Sequence, residues 1–463
     1  MTTREEVSRH ASGADCWIII RGSAYDVTNF LDHHPGGRKV ILDHAGRDAT
    51  EAFEAVHSIH LLGKHLKASQ RVGQVEDAQA TRSTAAEQKE EAQRRHRLLA
   101  EVISIPDFES AAAQVLAPKS FAFFKAGADS ENTANWNQRS WSAVRFRPRV
   151  LVPIQHVDIS TSILGTEFSA PFFIAPAGGG KFANSHGEIL MTKAAARHGI
   201  LQWVCNNAGC AQREMTSARG PNQTLFWQIY AMKDLEITKL EIEQAIAAGY
   251  KGFALTVDAV QVGKRERDMR LNIAESHLHG KDGDEVDQAN SISSTRPSCY
   301  DQFDFFSAVK WLRSITDLPI AIKGIQCWED AALCMHHGVH PWLSNHGGRQ
   351  LEGSPASIET LLEIRTHCPE VLERCDIIVD GGVTRGTDIV KALALGAKGV
   401  ALGRAFLYAL AFGEPGVSKA ISILKRETET AMGLVGVSSI DQLRPSHVDA
   451  SSLMYAGLLR AQL

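Results

Sequence analysis

The sequence predicts an α/β protein in which a closed parallel barrel of eight strands and helices follows a smaller N-terminal domain. Three observations lead to this prediction. Downstream of residue 170, short apolar runs alternate with amphipathic segments. The first 76 residues have a motif pattern of their own, and a polar stretch at 77–100 separates the two regions. A chain of 463 residues is long enough for such an arrangement of domains.

The barrel is predicted from the alternation of strand-like and helix-like segments along the chain. Strands that alternate with helices along a chain must pair in parallel, and eight such units in about 240 residues match a (β/α)8, or TIM, barrel. An open doubly wound sheet is the alternative, but no GxGxxG motif follows the first strand. The predicted strands are Phe172–Ala177, Leu201–Cys205, Leu225–Tyr230, Gly252–Asp258, Ile320–Lys323, Trp342–His346, Ile377–Asp380 and Gly399–Gly403. The predicted helices are Glu188–His198, Glu236–Ala248, Glu329–His337, Ile358–Thr366 and Thr387–Leu395.

Composition excludes several classes of protein. Apolar residues make up 44% and charged residues 22% of the chain, which excludes a largely disordered protein. A net charge of −4 disfavours a nucleic-acid binder, and no run approaches the ~18–20 apolar residues of a membrane span. The eight cysteines are scattered without a CxxC pair, so we interpret them as reduced thiols. Because the start resembles neither a signal peptide nor a transit peptide, we expect a cytoplasmic protein.

Two polar stretches divide the chain. The first, 77–100, has no large apolar residue between Asp77 and Arg97, which indicates a hinge or an exposed helical linker. The alternative is a solvated helix that belongs to one of the domains. The second stretch, Glu275–Ser298, is long enough to predict a lid or a mobile insertion. The expected domains are therefore 1–76 and 101–463, joined by a linker at 77–100.

The N-terminal region carries two well-spaced histidines. His34 is followed by Pro-Gly-Gly, where the backbone can pass close to a flat, bulky group, and His57 lies 23 residues further on. Two imidazoles presented from opposite sides would suit a heme iron with both axial positions filled. The pattern resembles a cytochrome b5 domain over about 2–76. The resemblance implies that His34 and His57 ligate a b-type heme that moves single electrons. Alternative ligands nearby are His33, His44, His60 and His65.

Polar residues follow nearly every predicted barrel strand, at the end where barrels carry their chemistry. Glycine-rich turns after the seventh and eighth strands, at Gly381-Gly382 and Gly403-Arg404, lie where barrels bind phosphate through backbone N–H groups. We therefore expect a phosphate-bearing cofactor at this end of the barrel.

Longer motifs indicate a family. The run Ser344–Gln350, followed by Asp380-Gly-Gly-Val, resembles the FMN-dependent α-hydroxy-acid dehydrogenase and oxidase family, with the likeness covering about 105–450. With a heme-type domain in front, the domain order is similar to that of the flavocytochrome b2 family. The resemblance implies oxidation of an L-2-hydroxy acid at FMN, with electrons passed through heme b to cytochrome c or a similar one-electron acceptor. It also implies a homotetramer.

The resemblance assigns roles to the barrel residues. His346 would be the base that takes the hydroxyl proton, Asp258 would stabilise the resulting imidazolium, and Arg349 would bind the substrate carboxylate. Tyr230 and Arg265 would also contact the substrate. Lys323 would offset negative charge at the flavin N1–C2=O edge. The residues expected to hold FMN are Ala177, Cys205, Gln228, Thr256, Lys323, Asp380, Gly381, Gly382, Gly403 and Arg404.

Four positions depart from the family's pattern. Phe123 stands where the family has a tyrosine that helps to bind the substrate carboxylate, and Asn207 stands where an apolar residue is usual. Gly178 stands where the family has a small residue that carries a side chain. Thr384 stands where the family has an arginine near the phosphate, so Arg385 and Arg404 are the arginines that remain there. We interpret these changes as a pocket retuned for a bulkier or more polar substrate than lactate; neutral drift is the alternative. Two other functions stay open, namely an FMN oxidase that uses O2 directly, and an electron-transfer or binding module with an inactive barrel.

Overall fold

The computed structural model describes residues 2–34, 37–50, 52–53, 62, 65–76, 85–271 and 300–453. At the N-terminus, five strands form one sheet in the order β1-β5-β4-β3-β2, with β1 and β5 parallel and the other pairs antiparallel. The apolar run in β3 supplies four buried side chains, more than any other strand of this sheet. These strands are β1 Thr2–Thr3, β2 Ala11–Ser12, β3 Asp15–Ile20, β4 Ser23–Asp26 and β5 Arg71–Glu76, with helices α1 Arg4–Arg9 and α2 Arg38–Leu42.

Four helices lead from this domain to the barrel: α3 Ala85–Glu101, α4 Ile105–Val115, α5 Pro118–Lys125 and α6 Asn132–Ala143. Helix α3 is bound to the barrel domain along its C-terminal half. Arg95 donates a hydrogen bond to the Val115 carbonyl at 3.0 Å, and Lys419 donates to the Ala100 carbonyl at 3.2 Å. A hinge between the domains would therefore have to lie before α3, and residues 77–84 are outside the described part of the chain.

The barrel is closed. Eight strands pair in parallel, and the last of them, β16 Gly399–Leu402, returns to pair with the first, β9 Phe172–Ile174. The open doubly wound sheet is therefore excluded, and the predicted (β/α)8 fold is confirmed. Every predicted strand is present, most of them shorter than the apolar run that predicted them. The strands are β9 Phe172–Ile174, β10 Gln202–Cys205, β11 Leu225–Ile229, β12 Phe253–Thr256, β13 Ile320–Ile325, β14 His340–Leu343, β15 Ile378–Val379 and β16 Gly399–Leu402.

Further helices surround or cap this barrel: α7 Gly180–Ala183, α8 Glu188–His198, α9 Gln212–Ser217, α10 Leu235–Ala248, α11 Phe305–Arg313, α12 Trp328–His336, α13 Ser357–His367, α14 Glu370–Arg374, α15 Gly386–Ala394, α16 Arg404–Leu410 and α17 Gly413–Val435. Their apolar faces pack against the barrel wall in one large cluster of buried side chains. The five predicted helices are all present, with their ends shifted by one residue or not at all.

A separate apolar cluster fills the barrel interior. Trp203 and Trp342 meet at a ring-centroid distance of 4.8 Å, and Phe173 packs edge-on against Trp342. A hairpin of β7 Thr161–Ile163 and β8 Thr166–Phe168 contributes to the same cluster. Since the hairpin precedes β9, it fills the end where the strands begin. The opposite end, where the strands finish, is left for polar side chains. Two short strands, β6 Arg145–Phe146 and β17 Val448–Asp449, pair outside the barrel.

The seven cysteines in the described ranges are free thiols, as their spacing predicts. Within those same ranges, no helix is long and apolar enough to cross a membrane. The predicted lid at Glu275–Ser298 lies outside the described residues.

Candidate active site

A histidine and an aspartate face each other where the fourth and sixth barrel strands end. His346 Nδ1 lies 2.8 Å from Asp258 Oδ1, and the Asp258 side chain is only 1% exposed. Gly324 makes this placement feasible, since a Cβ built on it would lie 2.7 Å from the Asp258 Cβ. Its φ of +114° also favours glycine. The two side chains therefore form a buried imidazole–carboxylate pair in which Asp258 orients the ring.

The backbone at His346 is held in an uncommon conformation. Its φ is +59°, and the N–H of His346 donates a hydrogen bond to Ser344 Oγ at 3.0 Å. A non-glycine residue with positive φ costs on the order of 1–3 kcal/mol and persists where its surroundings impose it. Here the conformation directs the imidazole into the mouth of the barrel.

The surroundings of His346 keep its imidazole neutral near pH 7. Burial lowers its pKa below the usual value, and the positive charge of Lys323 lowers it further, while the Asp258 carboxylate opposes both effects. Nε2, the nitrogen that does not face Asp258, lies 3.4 Å from the Tyr230 hydroxyl. A neutral imidazole with its second nitrogen directed into a cavity can accept a proton from a bound molecule.

Asp258→Asn should move the acid limb of the pH–rate profile. The carboxylate raises the His346 pKa, so its removal lowers that pKa, and the neutral base then persists to lower pH. The plateau rate should fall ~10- to 100-fold, because the ring loses its orienting partner. Stopped-flow flavin reduction between pH 5 and 9 measures both effects. An acid limb that stays in place would show that another group titrates.

A second network lies beside the pair. Lys323 Nζ donates to Ser344 Oγ at 3.0 Å and lies 3.6 Å from Asp380 Oδ2. Ser344 in turn donates to Asp380 at 2.7 Å, and the Trp342 indole N–H donates to the same carboxylate at 2.9 Å. Lys323 is 5% exposed, so it is a buried cation, and the Asp380 carboxylate neutralises it. Ser344 lies within the motif of the sixth strand, and sequence reasoning gave it no role.

The residues expected to hold FMN fit that group. Gln228 is 1% exposed; its amide N–H donates to Thr256 at 2.9 Å, while its Oε1 is buried with no hydrogen-bond partner in the described part of the chain. A flavin ring carries the N–H that such an orphaned acceptor needs. At Gly403, a built Cβ would meet its nearest neighbour, Ala175 Cβ, at 4.0 Å, so the backbone there stays open for a phosphate.

Most of the proposed cofactor residues line one cavity of about 1310 Å³. Gln228 and Thr256 are outside this lining and are hydrogen-bonded to each other. Arg404 is at the cavity wall and donates to the Gly347 carbonyl at 2.7 Å. Arg385 is directed elsewhere, because it forms an ion pair with Glu427 at 3.0 Å. Arg404 is therefore the better placed of the two cations for a phosphate. The lining includes Ala177, Cys205, Lys323, Asp380, Gly381, Gly382, Gly403 and Arg404.

The substrate side of the cavity is positively charged. Burial lowers the Arg349 pKa, and the nearby guanidinium groups of Arg265 and Arg404 lower it further. Arg349 donates to the carbonyls of Phe124 and Ala126, at 3.1 and 2.6 Å. Like charges held together in a buried position are stabilised by an anion, so this end of the cavity suits a carboxylate.

Phe123 lies against this cluster. Its ring centroid is 5.3 Å from the Arg349 guanidinium carbon, and its ring packs on Phe182 at 5.6 Å. The ring can contribute a cation–π contact, but it has no group that donates a hydrogen bond to a carboxylate. The structure thus brings together His346, Asp258, Tyr230, Lys323, Arg349, Arg265, Phe123 and Asn207 around one cavity.

The N-terminal domain has an apolar crevice with His34 at its edge. His34 Nδ1 lies 3.0 Å from the Gly37 carbonyl, so with Nδ1 as the donor the nitrogen that would ligate iron is Nε2. This donor set and lining suit a heme. Of the other histidines considered as iron ligands, His57 and His60 lie outside the described residues. The His33 ring forms a hydrogen bond with the Asn29 carbonyl, and His65 lines the crevice. The other lining residues are Ile18, Ile20, Val27, Phe30, Val40, Ile41, Phe53, Leu62 and Leu66.

These crevice residues and the barrel residues line the same cavity. The fold and site together define a class: barrel oxidoreductases that oxidise an anionic substrate at a flavin and carry an attached electron-transfer domain.

Comparison with known proteins identifies the family. Residues 112–450 match the model of the FMN-dependent dehydrogenases, and 3–76 match that of the cytochrome b5-like heme/steroid binding domain. The chain belongs to the FMN-dependent dehydrogenase family.

Individual members of this family are similar to the chain in sequence and in structure. The chain is 38% identical over 460 residues to an L-lactate dehydrogenase (cytochrome) of Wickerhamomyces anomalus, covering 97% of this chain and 80% of that protein. It is 39% identical over 355 residues to a peroxisomal (S)-2-hydroxyacid oxidase of Arabidopsis thaliana, covering 75% and 96%. A flavocytochrome b2 structure superposes with a TM-score of 0.70 at 34% identity, covering 79% and 92%. A mandelate oxidase superposes at 0.65 with 30% identity, covering 75% and 98%.

The predictions of family and cofactors are confirmed by these matches. The chain is an FMN-dependent 2-hydroxy-acid dehydrogenase that uses FMN in its barrel and heme b in its N-terminal domain, with the heme domain serving electron transfer. The roles of individual residues and the identity of the substrate stay predictions.

Proposed function

We propose that His346 removes the hydroxyl proton of an L-2-hydroxy acid while Asp258 stabilises the imidazolium that forms. The observation that carries this proposal is the 2.8 Å contact between the two side chains in a cavity lined by arginines. Tyr230, at 3.4 Å from Nε2, can hold the substrate oxygen in reach of the base. A positioned base of this kind contributes ~10²–10⁴ to the rate.

Substrate orientation comes from the guanidinium cluster. A carboxylate bound by Arg349, with Arg265 nearby, would place the α-carbon next to His346. FMN, when bound, supplies the acceptor for the two electrons, and the heme carries them onward singly. Lys323 holds a positive charge at the barrel mouth, where its bond to Ser344 and its proximity to Asp380 fix its position. Negative charge that develops there during the reaction is stabilised without reorganisation.

We infer a substrate bulkier or more polar than lactate. A Cβ built on Gly178 would lie 3.0 Å from the Asn207 carbonyl oxygen, so the first two strand-end loops approach closely because residue 178 is glycine. Both residues line the cavity, and Asn207 brings an amide to a wall where an apolar side chain is usual in the family. The mandelate oxidase that shares this fold holds 3,3-difluoro-2-hydroxy-3-phenylpropionic acid. A barrel of this kind therefore accommodates a phenyl-bearing hydroxy acid.

We further propose cytochrome c, or a similar one-electron carrier, as the acceptor, in a cytoplasmic homotetramer. The shared cavity of the heme crevice and the barrel site favours this acceptor over direct use of O2. The intact His346–Asp258 pair opposes the alternative of a binding module with an inactive barrel.

Stopped-flow reduction of the bound flavin by a panel of L-2-hydroxy acids tests the proposed function. Lactate, glycolate, 3-phenyllactate and mandelate should each bleach the flavin, with the larger acids faster. Parallel assays with cytochrome c and for hydrogen peroxide distinguish a dehydrogenase from an oxidase. A flavin that none of these acids reduces would contradict the proposal, and peroxide formed in place of reduced cytochrome c would favour the oxidase.

Phe123→Tyr should improve the smallest substrates. The added hydroxyl can donate to the substrate carboxylate beside Arg349, and a hydrogen bond to a charged group contributes ~1.5–3 kcal/mol. We expect kcat/KM for lactate and glycolate to rise ~10- to 100-fold in steady-state assays. Phe121→Tyr, on the same helix, provides a control. Efficient lactate turnover by the wild type that Phe123→Tyr leaves unchanged would instead indicate neutral drift.

A further inference from the structure

A polar recess forms one part of this cavity. Its lining includes Asn206, Gln212, Trp227 and Glu241, which are continuous with the lining at Asn207 and Tyr230. Trp227 lies on β11 next to Gln228, and successive strand residues point to opposite faces. The Gln228 side chain donates to Thr256 on the neighbouring strand, whereas the Trp227 indole donates to Glu241 on helix α10, so the recess lies between β11 and that helix.

Glu241 is a carboxyl on the buried face of this helix. The buried positions of α10 include Thr238 and Ala245, and Glu241 is one turn from each of them. The Trp227 indole N–H donates to Glu241 Oε1 at 2.6 Å, and the Asn206 side chain also bonds the carboxyl. Burial raises the Glu241 pKa to about 7 despite these two donors. The two bonds offset only part of the cost of burying the charge.

When Glu241 is ionised, the recess has more hydrogen-bond acceptors than donors. A carboxylate accepts about four hydrogen bonds, and Glu241 receives them from two side chains. Asn206 Oδ1 is buried, and nothing in the part of the chain that the structure describes donates to it. Buried acceptors without donors favour a ligand that brings a donor, and they disfavour an apolar group of the same shape.

We propose that this recess binds the side chain of the substrate and selects L-2-hydroxy acids whose side chain ends in a hydrogen-bond donor. A phenolic hydroxyl, an indole N–H and an ammonium group share this chemistry. The inference rests on the proposed function, because it places the reacting carbon at His346 and the side chain past Asn207. Asn206 Oδ1 and the Glu241 carboxylate then receive the donor, and Trp227 provides an aromatic wall.

A matched pair of substrates tests the recess in the holoenzyme. L-3-(4-hydroxyphenyl)lactate and L-3-phenyllactate differ by one hydroxyl, so the ratio of their kcat/KM values for flavin reduction reports that group alone. Well above pH 7, where the Glu241 carboxyl is ionised, we expect a ratio of ~10–100 in the wild type, as for a hydrogen bond to a charged acceptor. Glu241→Leu should bring the ratio close to one, and Glu241→Gln should leave an intermediate value. Glu243→Gln, on the exposed face of the same helix, should leave the ratio unchanged.

Further measurements separate the outcomes. 6-Amino-2-hydroxyhexanoate distinguishes a cationic donor from a neutral one, since a carboxylate would favour it over both aromatic acids. Calorimetric titration with 4-hydroxyphenylpyruvate and phenylpyruvate measures the same preference as a ratio of Kd values without turnover. A wild-type ratio near one, or a ratio that Glu241→Leu does not change, overturns the recess while the proposed function stands. If no hydroxy acid reduces the flavin, the proposed function fails, and the calorimetric ratio alone decides the recess.

Discussion

His346→Gln is expected to slow reduction of the flavin by substrate by ~10²–10⁴, the contribution of a positioned general base. The glutamine amide has no basic nitrogen, so the hydroxyl proton has no acceptor when the C–H bond breaks. Substrate affinity should change little, because Arg349 and Arg265 face the carboxylate independently of the imidazole. Rapid mixing of the oxidised holoenzyme with substrate gives the rate and the apparent Kd in one experiment.

Two controls separate this loss from a structural effect. The φ of +59° at residue 346 is held by the hydrogen bond from its N–H to Ser344, and that bond survives the substitution. The flavin absorbance spectrum and the thermal midpoint should therefore match those of the wild type. The pH profile should also lose its acid limb, since the group that titrates below its usual pKa is gone. Flavin reduction at the wild-type rate in this variant would remove His346 as the base.

The fold was largely predictable because alternation of strands and helices carries strong physical constraints. Parallel pairing follows from helices between strands, and the apolar runs are buried on both faces. Closure was a weaker inference, since it depends on the contact between Val400 and Phe172, which lie far apart in the sequence. The helices α4 to α6 before the barrel were not predicted, although α4 begins with a Ser104–Asp107 capping box that could have indicated it.

Sequence motifs gather several residues of the candidate site, whereas the proposed recess depends on a single residue of a neighbouring helix and gave no motif. His346 and Arg349 lie in one motif, and their partners lie at other strand ends. Glu241 gave no such signal, because a glutamate in an amphipathic helix usually faces water. Its spacing from Thr238 and Ala245 was the available evidence that it lies on the buried face. For Arg385, the position in the sequence suggested the phosphate, and the structure shows its guanidinium in an ion pair with Glu427.

His34→Ala should abolish the heme and uncouple the two halves of the reaction. The imidazole is oriented by the contact of its Nδ1 with the Gly37 carbonyl, and no alanine can ligate iron. The purified variant should lose the low-spin b-type absorbance bands while retaining one FMN per chain. His57→Ala should have the same effect, since a low-spin heme of this type needs both axial imidazoles. His33→Ala is the matched control, because that exposed ring bonds the Asn29 carbonyl outside the crevice.

The kinetic consequence distinguishes a heme that carries the electrons from one that is incidental. In His34→Ala, substrate should still reduce the flavin, because the base, its aspartate and the arginines all lie in the barrel. Cytochrome c reduction should fall by at least ~10²-fold, since the single-electron carrier between flavin and acceptor is missing. His65→Ala tests the remaining described histidine that lines the crevice. If the low-spin spectrum is normal in His34→Ala and lost in His65→Ala, the iron ligand is His65 and not His34. If a variant without heme still reduces cytochrome c at the wild-type rate, the flavin delivers electrons to cytochrome c directly.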